Sequence, residues 1–352
     1  MAKNDKLQII LDDGTKAEAQ APVIVSASRS TDIPAFYSDW FFHRLEKGYS
    51  AWTNPFNGVK SYVSYNNTQF IVFWSKNPEP LISYLPILEE KKIKCYIHFT
   101  LNDYDKEMLE KGVPALEKRI ETFKKLSSLL GKKAVIWRFD PLILTSQINV
   151  EVLLKKIESI GDQLQNYTER FIFSFADITD YKKVKNNLIR NNVVYAEWDN
   201  ESMIKLAQGI AELNKKWKFH VATCAECIDL SQFNIAHSRC IDDSLIAQLS
   251  YPNKKIFDYL GLEIKENLLT LCDLSNSSEI KINEFVKAVR KKSNKDKGQR
   301  ASCGCSFSKD IGEYNTCPHL CEYCYANASK EIALRNYAMH KYNPLSDTIT
   351  GR

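Results

Sequence analysis

The chain has 352 residues, 44% of them hydrophobic and 26% charged, with a formal net charge of +5. That length suits one large α/β domain or two smaller ones, and the composition is that of an ordinary globular protein rather than a fibrous or low-complexity one. No apolar run approaches the roughly 18 residues needed to cross a bilayer. The polar opening residues 1–20 do not resemble a signal peptide, so the cytoplasm is the expected location and no membrane partner is expected.

In chain order, residues 7–21 carry Asp13-Gly14 between short apolar runs, which predicts a hairpin. Short β-branched or aromatic runs then recur at 23–28, 70–75, 95–101, 135–142, 171–176 and 219–223, with a weaker one at 49–53. Between them lie segments of helical spacing at 115–130, 150–165, 180–190 and 201–217. This alternation predicts an α/β fold with a parallel sheet and covering helices. The first strand-to-helix turn, from Ser26 to Asp32, has no glycine, unlike the phosphate-binding turn of many open doubly wound sheets. A full or partial (β/α) TIM-like barrel is therefore expected. Its divisions are a hairpin extension over 1–22, a barrel body over 23–285, a basic exposed linker over 286–300 and a cysteine segment over 301–352 that closes the barrel.

Polar residues gather at the carboxyl ends of the predicted strands, where a β/α barrel places its chemistry. Arg29, Asp32, Lys76, Asn77, His98, Arg138 and Asp140 are the candidate catalytic residues. Each has a structural reading too. Asp32 ahead of Ile33-Pro34 suits a helix N-cap, Arg138 and Asp140 an ion pair, and Asn77-Pro78 a turn.

The ten cysteines are unevenly spread, and clustered thiols in a reducing compartment point to metal or redox roles. Cys317, Cys321 and Cys324 form a C-x3-C-x2-C string. Three thiolates can hold three irons of a [4Fe–4S] cluster, leaving the fourth iron open to bind the amino and carboxylate groups of S-adenosyl-L-methionine. Tyr323, just before the last cysteine, is placed in sequence to touch the adenine, and Tyr325 follows it. Zinc is the alternative for this loop, with His319 or Cys305 as a fourth ligand. Cys224, Cys240, Cys303 and Cys305 form a second candidate set, for an auxiliary [4Fe–4S] cluster, with Cys227 a possible replacement. Cys95 and Cys272 read as buried apolar residues.

The string Cys317-Pro-His-Leu-Cys321-Glu-Tyr-Cys324-Tyr-Ala resembles the radical S-adenosylmethionine superfamily, and most of all its branch of spore photoproduct lyase and DNA repair photolyases. Arg138-Phe-Asp-Pro-Leu142 resembles that branch as well. Over nearly the whole chain the sequence is similar to an uncharacterised bacterial domain-of-unknown-function family that carries such a cysteine cluster at its C-terminal end. Strings shared with it include Ser26 to Tyr37, Ile71 to Pro78, Val135 to Pro141, and Cys303-Gly-Cys305 with Ser308 to Gly312. The resemblance implies an enzyme that generates a 5′-deoxyadenosyl radical and receives electrons from a flavodoxin or ferredoxin, with nucleic acid or nucleotide as one substrate class.

Two departures qualify the resemblance. The cysteine loop comes after residue 300 rather than after the first strand, which a circular permutation reconciles, with residues 307–314 supplying or leading to the displaced strand. The Gly-Gly-Glu string that usually grips the methionine amino group is also missing. The competing reading is a zinc- or iron–sulfur-stabilised nucleic-acid-binding or electron-transfer protein that leaves S-adenosylmethionine intact.

Overall fold

A computed structural model describes residues 5–54, 57–266, 279–299 and 303–351. The Asp13-Gly14 signal closes a hairpin between β1 (Lys6–Ile10) and β2 (Lys16–Gln20), with Gly14 at φ 83°, where L side chains are strained. β2 pairs in parallel with β5 (Lys60–Ser64), which pairs antiparallel with β4 (Tyr49–Thr53). The sequence grouped residues 49–53 with the strands of the main sheet; they lie instead in this separate sheet of order β1-β2-β5-β4. An antiparallel partner a few residues away needs only a short turn, whereas joining the parallel sheet requires a crossover.

The main sheet has eight parallel strands in the order β13-β12-β10-β8-β7-β6-β3-β17. They are β3 (Ile24–Ala27), β6 (Phe70–Ser75), β7 (Lys94–Thr100), β8 (Val135–Leu142), β10 (Arg170–Phe175), β12 (His220–Thr223), β13 (Ala236–His237) and β17 (Lys309–Asp310). The predicted strands appear within a residue or two of their expected places. β17 comes from the last part of the chain and pairs with β3, Lys309 opposite Val25. The sheet is mixed with helices in a β/α barrel-like manner, and among the described residues β13 and β17 do not pair to close it.

Side-chain alternation sorts each strand into two faces. Val25, Ile71, Phe73, Ile97, Phe99, Trp137, Phe171 and Phe173 share one core with α4 (Leu116–Leu130), α5 (Val150–Leu164) and α7 (Asn200–Trp217). Also in the chain are α1 (Ile33–Phe36), α2 (Ser38–Lys47), α3 (Leu85–Glu90), α6 (Lys182–Arg190) and a short sheet of β9 (Leu144–Thr145) with β11 (Tyr195–Ala196). On the opposite face Ile24, Phe70, Val72, Tyr96, Ile136 and Ile172 pack against Leu245, Ile246, Ile256, Phe257 and Leu260. These belong to α8 (Asp243–Ser250) and α9 (Lys254–Leu260), which cover this face of the sheet. Fully burying one such side chain is worth about 1.5–3 kcal/mol.

A third sheet, of β14 (Leu262–Glu266), β16 (Val286–Arg290) and β15 (Glu279–Lys281), adds to the same core through Leu262, Ile280, Val286 and Ala288. Residues 286–290, expected as the start of an exposed linker, are therefore a paired strand, and Arg290 bonds Asp243 at 2.7 Å. Lys287 and Arg290 within the strand, and Lys291 and Lys292 just after it, obscured the alternation of the buried Val286 and Ala288. Arg300 and Cys272 lie outside the described residues. No described helix is long and apolar enough to cross a membrane. After the cysteine loop, α10 (Lys330–Tyr342) begins at Ser329, whose hydroxyl caps the Ile332 N–H.

Candidate functional site

Alternation that buries Phe73, Phe99 and Trp137 on one face turns Trp74, His98, Arg138 and Ser174 toward the other, beyond the α8–α9 plug. Asp32 does more than cap a helix. One carboxylate oxygen accepts the Ala35 N–H at 3.0 Å; the other accepts the Lys76 N–H at 2.7 Å and lies 2.7 Å from His319 Nε2. It thus ties two strand ends to the cysteine loop. Asn77 donates its backbone N–H to Ser75 Oγ, the part of a turn residue.

Lys76 reaches inward to a carboxylate that sequence reading missed. Its ammonium bonds Glu110 at 2.7 Å and donates to the Tyr323 hydroxyl at 3.1 Å. Asn102 donates to the same two groups at 2.9 and 3.1 Å, the Tyr323 hydroxyl also bonds Glu110, and Arg119 lies 3.9 Å away on the far side. Burial alone would push the Glu110 carboxyl up, but Lys76 and Arg119 outweigh it and hold it at about 2. Tyr323 therefore points under the loop with its hydroxyl committed, and the Lys76 ammonium lies over its ring, 5.5 Å from the centroid.

Cys321 is buried and Cys317 and Cys324 are partly buried on one loop, clamped by contacts from three sides. Tyr37 donates to Thr316 O at 2.5 Å, Asn187 to Cys324 O at 2.8 Å, and Gly112 N–H to His319 O at 2.9 Å. Burial pushes all three thiols up, Cys317 to about 12; Cys317 also feels the charge of Cys324, and Cys321 that of both others. The Lys76 ammonium acts the other way on Cys321 and Cys324. His319, a candidate zinc ligand in sequence, has both ring nitrogens against protein acceptors, Asp32 at 2.7 Å and Gly112 O at 3.1 Å. Among the described residues no three Cys, His, Asp or Glu side chains are already posed around a common metal position. The donor chemistry nonetheless fits an iron–sulfur group: soft thiols from one loop, with the Asn327 N–H donated to Cys324 Sγ at 3.3 Å.

A Cβ on Gly112 would meet His319 O at 2.6 Å and Pro318 O at 2.8 Å. Gly112→Ala is expected to displace the loop and cost about 1–3 kcal/mol in chemical denaturation. An unchanged midpoint would show that the contact relaxes freely.

The second set of cysteines also converges. Cys224 follows β12, and its Sγ lies 3.2 Å from that of Cys240. Cys305 Sγ accepts the N–H groups of Cys240 at 3.1 Å and Ile241 at 3.4 Å. Side-chain hydrogen bonds link Cys240 to Cys305 and Cys305 to Cys303, whose thiol the Cys305 contact holds down to about 6. Arg138 donates to Cys240 Sγ at 3.5 Å while pairing with Asp140 at 2.5 Å, and Ser174 bonds Asp140. His98 Nε2 donates to Cys240 O at 2.8 Å, and burial holds its imidazole well below the ordinary range, hence neutral.

Arg29 stands between the two cysteine groups. It stacks 5.1 Å from the Trp74 ring and accepts the Tyr325 hydroxyl on its carbonyl, and its guanidinium pairs with Asp310 at 3.7 Å and feels Cys240 and Cys305 more weakly. Arg29 Nη2 and His98 Nδ1 are buried without a hydrogen-bond partner. Cys227 is exposed, and Cys95 is buried in the helix-side core as expected.

A search of curated proteins finds no match. Among solved structures, a putative alpha-L-fucosidase from Bacteroides thetaiotaomicron is similar at 11% identity over 55% of this chain and 73% of that one, with a TM-score of 0.21. A likeness at that level carries no argument about fold or activity. The match that does carry weight is to a family model over residues 24–326, which takes in both cysteine groups and every strand of the parallel sheet, and the chain belongs to the family described as Domain of unknown function (DUF1848).

Proposed function

We propose that this protein is a radical S-adenosylmethionine enzyme whose [4Fe–4S] cluster is held by Cys317, Cys321 and Cys324. The observation that carries this reading is the loop itself. Three thiols, Cys321 buried and Cys317 and Cys324 partly buried, share one short loop, while both sequence candidates for a fourth ligand are engaged elsewhere, His319 with Asp32 and Gly112, and Cys305 with Cys240. A tetrahedral zinc site would want that fourth ligand; a cluster that binds S-adenosylmethionine wants it left out. The position of β17 beside β3 supports a circularly permuted barrel, since it sets the strand before the cysteine loop next to the strand that opens the chain's β/α run.

When bound, the cluster and S-adenosylmethionine would supply a 5′-deoxyadenosyl radical for hydrogen abstraction. The chain's residues would hold and orient. Lys76 places positive charge beside Cys321, favouring the thiolate needed for iron binding. Glu110 and Tyr323 hold the Lys76 ammonium, Asn102 bonds to both of them, and Asp32 fixes the loop through His319. Arg29, His98, Arg138 and Asp140 line the same end of the sheet, where a substrate carrying phosphate or carboxylate would find two guanidinium groups. A nucleotide or nucleic acid fits that chemistry, and a flavodoxin or ferredoxin is the electron donor this reading requires. Such an enzyme would work in the reducing cytoplasm.

Electron paramagnetic resonance tests the open iron directly. The anaerobically reconstituted, reduced protein is expected to give a cluster signal that changes when S-adenosylmethionine is added. A cluster signal indifferent to S-adenosylmethionine would instead mark an electron carrier.

A further inference from the structure

Four cysteines outside the loop meet at the other side of Arg29, although 81 residues separate Cys224 from Cys305. Their meeting is built by backbone rather than by chance. The Cys224 N–H bonds Phe173 O at 2.9 Å and Ser238 N–H bonds Thr223 O at 2.7 Å, which folds Cys240 back over the end of β12. Tyr96 and His98 hold the Cys240 carbonyl at 2.5 and 2.8 Å. The strand-like segment 303–307 is locked against it by Ser306 N–H on Ile241 O at 2.9 Å and Asp296 N–H on Cys305 O at 2.8 Å.

We propose that Cys224, Cys240, Cys303 and Cys305 form a second thiolate site that binds a thiophilic metal centre. Two N–H groups aimed at Cys305 Sγ are the donors that support a thiolate bound to metal. Arg138, buried and paired with Asp140, donates to Cys240 Sγ, and Arg29, paired with Asp310 at 3.7 Å, lies close enough to Cys240 and Cys305 to feel their charge. A Zn–S bond of about 2.3 Å puts tetrahedral sulfurs roughly 3.8 Å apart. The Cys224–Cys240 separation of 3.2 Å is close to that spacing, so a single ion fits with the least movement, whereas an iron–sulfur cube would spread the sulfurs further. The sulfurs run in order 224, 240, 305, 303 rather than around a closed centre, and closing them requires chiefly that Cys303, the last in the row and only half-buried, swing inward.

This site does not depend on the radical chemistry. The test is metal and sulfide analysis of full-length protein carrying Cys317→Ala, Cys321→Ala and Cys324→Ala together, reconstituted anaerobically with iron, sulfide and zinc. About one ion per chain without sulfide, or about four irons with matching sulfide, supports the site and decides which centre it holds. No stoichiometric metal in a triple variant that circular dichroism shows to be folded overturns it. If the triple variant does not fold, Cys305→Ser and Cys227→Ser in the otherwise native chain take its place. Cys305→Ser should lose the second centre's metal while Cys227→Ser keeps the native content, and equal metal in both overturns the proposal. A native chain that never makes 5′-deoxyadenosine yet keeps this metal would sink the enzyme reading alone.

Discussion

Glu110→Ala is expected to destabilise the protein by about 3 kcal/mol, because it strands the buried Arg119 and the partly buried Lys76 around an empty position. The isosteric Glu110→Gln separates charge from shape. In the native chain the carboxyl sits at about 2 in the fold against an ordinary 4.5. Its ionised form therefore contributes stability that is fully present above pH 4.5 and is lost as pH falls toward 2. That contribution is about 3 kcal/mol, and Glu110→Gln should lack this part of the acid limb. Denaturant melts at pH 3 and pH 7 measure it. Parallel acid limbs in native and variant proteins would mean that Glu110 is not held ionised by its partners.

Cys321→Ala should leave the fold standing and remove the loop's iron. Truncating one buried sulfur costs little packing, whereas the remaining two thiols cannot hold three irons. Reconstituted protein is expected to lose the iron and sulfide of that site, with S-adenosylmethionine cleavage reduced by at least about 100-fold. Cys95→Ala is the matched control, a buried thiol of the same core that lies near the amino end of β7, away from the carboxyl strand ends. Equal iron loss in the two variants would point to general destabilisation instead of ligation.

The strand–helix rhythm was readable because buried parallel strands are near-continuous apolar runs, and these stand out between helices that carry charge on one face. The clustering of cysteines along the chain was readable too, as were the strand-end polar residues, because both are local signals, whereas the meeting of Cys305 with Cys240 is a tertiary contact. Glu110 was not. It sits in an irregular connection before Lys111-Gly112 with no periodicity, where a glutamate reads as solvated, and only the tertiary placement of Lys76, Asn102 and Tyr323 makes it central. The α8–α9 plug was missed because its helices are short. Their caps, Asp242, Asn253 and the left-handed Gly261, were the available signal. His319 illustrates the opposite case: its type suggested a metal ligand, and its partners make it a brace for the loop.

The central claim is most directly tested by asking whether the native protein, purified and reconstituted without oxygen and then reduced, converts S-adenosylmethionine to 5′-deoxyadenosine. The account predicts that 5′-deoxyadenosine accumulates with the native chain and not with Cys321→Ala. A cluster-loaded, reduced protein that leaves S-adenosylmethionine intact, or one whose cysteine loop holds zinc instead of iron, would contradict it.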